Sequence, residues 1–366
     1  MPSTMKAVVK TGRGAGRDFT AVREVPVPRP RNGEALVKVL ATAVCGTDKH
    51  IYGWHSSIQG RVSPPRVYGH EFCGIIESLG PRPGRTDLEP GSYVSAEMHV
   101  VCGQCPQCRI GQGHICRETK ILGLDGDGCF AGYVVVPASN VIPIDEKIIP
   151  PKIGAFLDAL GNAVHTTQVT DLSGRSVLVT GYGPIGAMCA AIAEFQGATR
   201  VYILEVADGG LAAAAGWVKR KKLRNVSILD GRKNGGRLLE KIRDENSGGV
   251  DVLLETAGAP PAINTGLAAL KAGGFASLLG LPSSKDLLLE NYSRDVIFKG
   301  ITLQGIIGRR MYGTWDKMLP LLEAGLDVEF LVTHEFDGLE KFHDAIALLE
   351  NRRAMKVVFW PNGRKK

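Results

Sequence analysis

The chain has 366 residues, of which 44% are hydrophobic and 22% charged, with 46 glycines, 20 prolines and 8 cysteines. Length predicts about two domains, and these ordinary proportions exclude a disordered, collagen-like or acidic solvating chain. A net charge of +7 excludes little by itself; its densest stretch, Lys219 to Arg224, has no interleaved aromatics and reads as a solvated helix end, so no nucleic-acid partner is expected.

Met1 to Lys6 lead directly into a strand-like Ala7-Val8-Val9, without the apolar core and cleavage site of a signal peptide. The longest apolar run, Pro184 to Ala193, is cut by Glu194, well short of the ~20 residues that span a bilayer. A cytoplasmic chain with no membrane partner is therefore expected, and its cysteines should be metal ligands, nucleophiles or buried apolar residues rather than disulfides.

The first 150 residues read as short β runs, among them Ala35 to Val39 and Gly74 to Glu77, separated by Gly, Pro and Asn. In this region Cys45-Gly46-Thr47-Asp48-Lys49-His50, Gly69-His70-Glu71 and the later Asp158 supply thiolate, imidazole and carboxylate, the ligands of an open catalytic zinc able to take an alcohol. Spacing leaves the bland alternative standing, in which Cys45 is a small core residue and His70 a satisfied buried histidine. Cys73, Cys129 and Cys189 have no partner motif and read as apolar.

Cys102, Cys105, Cys108 and Cys116 form C-x2-C-x2-C-x7-C. Four soft ligands within fifteen residues can close a tetrahedral shell with no open position, which predicts a structural zinc. An iron–sulfur cluster or a redox disulfide pair are the alternatives, and no accompanying ferredoxin pattern is present.

From Ser176 strand-like runs at 176–180, 201–204, 250–254 and 275–279 alternate with helical stretches, which predicts βαβ units and a parallel sheet. Gly181-Tyr182-Gly183-Pro184-Ile185-Gly186 follows the first run and opens a helix, the context that makes G-x-G-x-x-G a dinucleotide fingerprint. The glycines allow a tight turn and close backbone approach to a pyrophosphate, and the helix N-terminus offers it free N–H groups. Glu205 ends the next run, near the ~20-residue spacing of the acid that binds an adenosine ribose, which favours NAD over NADP. After residue 301 come amphipathic stretches at 314–324 and 339–350 and a closing strand at 357–359.

With these motifs in hand, the chain resembles the medium-chain zinc-dependent alcohol dehydrogenase superfamily over nearly its whole length. The resemblance is carried by Cys45 to Tyr52, Gly69-His70-Glu71, His99 with the four-cysteine segment, Leu160-Gly161-Asn162-Ala163-Val164-His165-Thr166, Gly258-Ala259-Pro260-Pro261-Ala262, Gly308-Arg309 and Thr314-Trp315. The sequence departs from the usual pattern at Asp158-Ala159, Gly132 and Arg310. The resemblance implies an α/β fold in which a Rossmann domain (156–300) is inserted in a mainly-β GroES-like catalytic domain (1–155, with 301–366 returning to it).

By the same resemblance, Cys45, His70 and an acid from Glu71 or Asp158 would hold the catalytic zinc, with Thr47 and His50 as proton relay. Gly181, Gly183, Pro184, Ile185, Gly186, Glu205 and Leu281 would contact NAD. His99 and Arg309 would face substrate, Arg309 being equally suited to a subunit interface. The implied enzyme carries two zinc ions per subunit, forms a homotetramer and takes a small amino-alcohol. It would oxidise the β-hydroxyl of L-threonine to 2-amino-3-oxobutanoate. The rival expectations are a polyol or secondary-alcohol dehydrogenase and a non-catalytic NAD- and zinc-binding protein.

Overall fold

The structure is a computed structural model that describes residues 2–233 and 235–364. The chain forms two units, one of Met1–Ala159, Arg310–Gly313 and Leu331–Lys366, the other of Leu160–Arg309 and Thr314–Phe330.

The first unit is organised around the strand Glu34–Ala43, which pairs antiparallel with Glu71–Leu79, Tyr133–Pro137 and Lys356–Trp360. Its alternating residues Ala35, Val37 and Val39 pack with Phe72, Ile76 and Val94 into one core, as the two-residue side-chain period of a strand requires. A second core joins Val8, Val44, Tyr68, Phe130, Phe342 and Phe359, with the Phe130 and Phe342 rings 5.3 Å apart and edge-on. Register is what matters for function. Ala43 lies opposite both Glu71 and Val358, so the end of one strand and the beginnings of its two neighbours meet at one end of the strands, in the interior of the sheet order. Residues far apart in sequence, at 45, 70–71 and 356, are thereby brought together.

The second unit contains a six-stranded parallel sheet of Ser176–Thr180, Arg200–Glu205, Val226–Asp230, Val250–Glu255, Leu270–Leu278 and Thr302–Gly305. Numbered along the chain, the strands run in the spatial order 3-2-1-4-5-6, the doubly wound arrangement whose chain reversal opens a crevice for a dinucleotide. The central strand is buried at every position, as expected of a parallel strand covered on both faces. Helices Pro184–Phe195 and Pro260–Ala269 pack on it and on its neighbour. The strands Val226–Asp230 and Thr302–Gly305 were not among the runs expected from sequence. The first is only partly buried and the second mostly exposed, so their apolar signal is weak. Among the described residues no helix is long and apolar enough to cross a membrane.

Candidate metal centres and dinucleotide crease

Cys45 stands just past the strand Glu34–Ala43, at the entrance of the helix Gly46–Tyr52. Asp48 in the first helical turn accepts the Cys45 backbone N–H at 2.8 Å, half of a capping box that fixes the bend carrying the thiol. Asp48 is fully buried, and its other oxygen lies 3.9 Å from His70 Nδ1. A carboxylate on that side of the ring leaves Nε2 for a metal. Glu71 begins the neighbouring strand and is fully buried. Its Oε2 accepts from Lys356 Nζ at 2.5 Å, and the same ammonium donates to the Val44 carbonyl at 3.3 Å.

Ligand atoms of Cys45, His70 and Glu71 all lie within 4.8 Å of one another. Glu71 Oε1 is buried without a hydrogen-bond partner, which natural interiors avoid unless a group such as an ion completes the site. Burial disfavours charge on His70, yet the adjacent Cys45, Asp48 and Asp158 outweigh it and push the imidazole up to about 10. The same acidic neighbours are a setting that a divalent cation would suit. Thiolate, imidazole and carboxylate are zinc donors.

Asp158 is buried at the start of the helix Leu157–Thr167 and acts electrostatically on His70, but it is not among the three gathered groups. Thr47 Oγ1 is 3.9 Å from Cys45 Sγ. His50, three residues on, is exposed and stacks on His55 at 4.8 Å. Partial burial, with His55 and Lys49 nearby, holds its imidazole below the usual value. His99 is buried, and its Nδ1 donates to Glu97 Oε1 at 2.6 Å. Asn140 ties down both residues through their backbone carbonyls.

The four-cysteine segment wraps around the short helix Pro106–Arg109 and a 3-10 turn at Gly113–Ile115. Sulfur–sulfur separations are 3.5 Å for Cys105–Cys108, 3.8 Å for Cys105–Cys116 and 3.5 Å for Cys102–Cys116, and all four thiols are free. Four thiolates ~2.3 Å from a common zinc stand about 3.8 Å apart, so the cage has the size of the ion. The Cys108 backbone N–H helps pull the Cys105 thiol down to about 6, towards the ligating thiolate.

In the second unit the strand Ser176–Thr180 runs into Gly181 at φ 83° and Gly183 caps the helix that Pro184 and Ile185 begin. At Gly186 a Cβ would come within 2.0 Å of the Gly181 carbonyl, so only glycine lets helix and turn close. Glu205 ends its strand beside this turn. Its Oε2 accepts the Tyr182 N–H at 2.7 Å, and Oε1 accepts those of Val206 and Ala207 at 2.7 and 2.8 Å. Leu281 is 88% exposed, with its backbone against Gly258.

Arg309 is fully buried, its guanidinium 5.8 Å from the Trp315 ring centre. The most distinctive sequence run explains its seat. A Cβ at position 161 would come within 2.6 Å of Arg309 Cδ, and His165 Nδ1 donates to the Gly308 carbonyl at 3.0 Å. Arg310 beside it is exposed. Sequence reasoning gave no role to Asp48, Lys356 or Glu97. The signal for Asp48 was its place three residues after Cys45; Lys356 and Glu97 lay outside any motif.

Residues 31–146 match the model of the alcohol dehydrogenase GroES-like domain, and residues 184–324 that of the zinc-binding dehydrogenase. Among solved structures, the alcohol dehydrogenase TADH from Thermus sp. ATN1 is similar, with a TM-score of 0.82, 27% identity, and coverage of 97% of this chain and 99% of that one. Galactitol-1-phosphate dehydrogenase from Escherichia coli has a TM-score of 0.84 at 25% identity, over 97% and 100% of the two chains. Fold and site together define the class of zinc-binding, nicotinamide-dependent alcohol dehydrogenases. L-threonine 3-dehydrogenase of Pyrococcus horikoshii is 41% identical over 98% of this chain and 99% of its own, and that of Symbiobacterium thermophilum 41% identical over 99% of each. The chain belongs to the L-threonine 3-dehydrogenase family.

Proposed function

We propose that this protein oxidises the β-hydroxyl of L-threonine to 2-amino-3-oxobutanoate, the carbon-bound hydrogen leaving as hydride to NAD and the hydroxyl proton passing to solvent. The observation that carries the reading is the gathered donor set of half-buried Cys45 with buried His70 and Glu71, whose Oε1 is unsatisfied; full-length similarity to proteins named L-threonine 3-dehydrogenase supports the substrate. When bound, zinc supplies Lewis-acid charge stabilisation and NAD supplies the two-electron acceptor.

Cys45, His70 and Glu71 hold the metal, with Asp158 the acid that can replace Glu71. Lys356 balances the Glu71 charge and Asp48 orients His70. Thr47 takes the substrate hydroxyl proton and passes it to His50, whose exposed imidazole can hand it to solvent. His99 positions substrate, and Arg309, wholly buried within the single chain, is a substrate-side group rather than a subunit contact. Gly181, Gly183, Pro184, Ile185, Gly186 and Leu281 seat the dinucleotide, and Glu205 takes the adenosine ribose and repels a 2′-phosphate. Cys102, Cys105, Cys108 and Cys116 hold a second, structural zinc.

In this reading the unit of residues 1–159, 310–313 and 331–366 is the catalytic domain and the unit of 160–309 and 314–330 the NAD domain, which keeps 301–309 and 314–330 with the parallel sheet rather than with the catalytic domain, and the protein is a cytoplasmic homotetramer. Exposed Phe298, Leu303 and Ile307, on and beside the edge strand Thr302–Gly305, support self-association. Initial rates with L-threonine, L-serine, sorbitol and 2,3-butanediol test the proposal. The highest kcat/KM is expected for L-threonine; turnover of a polyol with none of threonine overturns it.

A further inference from the structure

The strand Val250–Glu255 ends in a fully buried carboxylate. Glu255 Oε1 accepts the backbone N–H groups of Ala257 at 2.9 Å and Gly258 at 2.8 Å, and the Thr180 hydroxyl at 3.2 Å. Oε2 has no hydrogen-bond partner and faces Gly280, where a Cβ would come within 2.5 Å of it. The Glu255 carbonyl accepts the N–H of Leu279 at 2.9 Å and Gly280 at 3.2 Å. Next along the chain, Thr256 Oγ1 donates to the carbonyls of Thr180 at 2.8 Å and Gly181 at 3.2 Å. One dipeptide thus fastens the entry to the glycine-rich turn, the loop at 256–258 and the loop at 279–281. The last two touch, since a Cβ on Gly258 would come within 2.5 Å of the Leu281 carbonyl.

A buried carboxylate is costly unless its bonds offset desolvation. Here burial pushes the Glu255 carboxyl up while the Gly258 and Ala257 N–H groups pull it back. An apolar side chain would pack this sheet at lower cost; what only a carboxylate does is aim those amides. Topology says what they are aimed at. The crevice of a 3-2-1-4-5-6 sheet receives the two mononucleotide halves on either side of the chain reversal. Glu205 ends the second strand, on one side of the central strand, and Glu255 the fourth, on the other.

We infer that Glu255 is a positioning residue that, through the amides of residues 257 and 258 and the Thr180 hydroxyl, sets the loops that receive the nicotinamide mononucleotide half of NAD. The inference rests on the reading of this crease as an NAD site.

Calorimetric Kd values for NAD and for AMP, which carries only the adenosine half, test it on the zinc-loaded protein. Glu255→Gln should weaken NAD binding about tenfold, the loss expected when charge-assisted bonds become neutral ones, and leave AMP binding unchanged. Thr180→Val, which removes only the hydroxyl that donates to Glu255 Oε1, should act in the same direction and carries the test if Glu255→Gln does not fold. Glu205→Ala should weaken both ligands. An unchanged NAD Kd in the variants overturns the inference, as does equal weakening of NAD and AMP, which marks a merely structural role. Wild-type protein that binds neither ligand refutes the dinucleotide reading itself, a result distinct from either.

Discussion

Lys356→Met probes the support of the metal centre. The Lys356–Glu71 pair is 3% and 0% exposed with a 2.5 Å bond, so removing the ammonium strands a buried carboxylate. Breaking such a pair from one side costs about 3–5 kcal/mol. In a unit of about 200 residues, each kcal/mol lowers the melting midpoint by roughly 2–4 °C, giving a fall of about 6–20 °C. The assay is thermal unfolding of metal-free protein, where no ion compensates Glu71. Glu71→Gln alone should destabilise as well, by stranding the lysine, and the double variant should recover most of the loss, since replacing both partners removes the unpaired charge. Wild type and Lys356→Met melting within about 2 °C of each other would refute the reasoning.

Three further outcomes follow from the geometry. Glu205→Ala should raise kcat/KM for NADP relative to NAD by about tenfold or more, the effect of removing one charge repulsion and its ribose bond; an unchanged ratio removes Glu205 from cofactor choice. Cys102→Ala should lower the zinc content by one ion per chain and destabilise the first unit by about 3 kcal/mol or more, because closed structural sites contribute binding energy to folding; an unchanged melting midpoint would show that the segment bears no structural load. Burial holds the Lys10 ammonium down to about 8, against 10.5 in the unfolded chain. Between these values the unfolded state binds more protons, so stability rises with pH across that window. The stability of wild type relative to Lys10→Met should therefore increase from pH 8 to 10.5, and a flat difference contradicts the assignment.

What the sequence revealed depended on distance along the chain. The dinucleotide turn spans six residues and the four-cysteine cage fifteen, so local spacing displayed their chemistry. Cys45 and His70 are 25 positions apart, and each alone has an ordinary core reading; only the pairing of Ala43 with Glu71 brings their neighbourhoods together. Glu71 and Asp158 were equivalent in sequence, whereas the structure gathers Glu71 with Cys45 and His70. Lys356, 285 residues from Glu71, carried no signal because antiparallel register with the strand Glu34–Ala43, not any motif, brings it there. Arg309 read as a substrate or interface group; its complete burial against Gly161 and Trp315 depends on contacts between segments some 150 residues apart.

The account depends above all on an ion held by Cys45, His70 and Glu71. Zinc per chain, measured on wild type and Cys45→Ala after dialysis against a weak chelator, tests this most directly. The account predicts two ions in wild type and one in the variant, with NADH formation from L-threonine lost and the fold kept; one ion in both proteins, with threonine still oxidised, would contradict it.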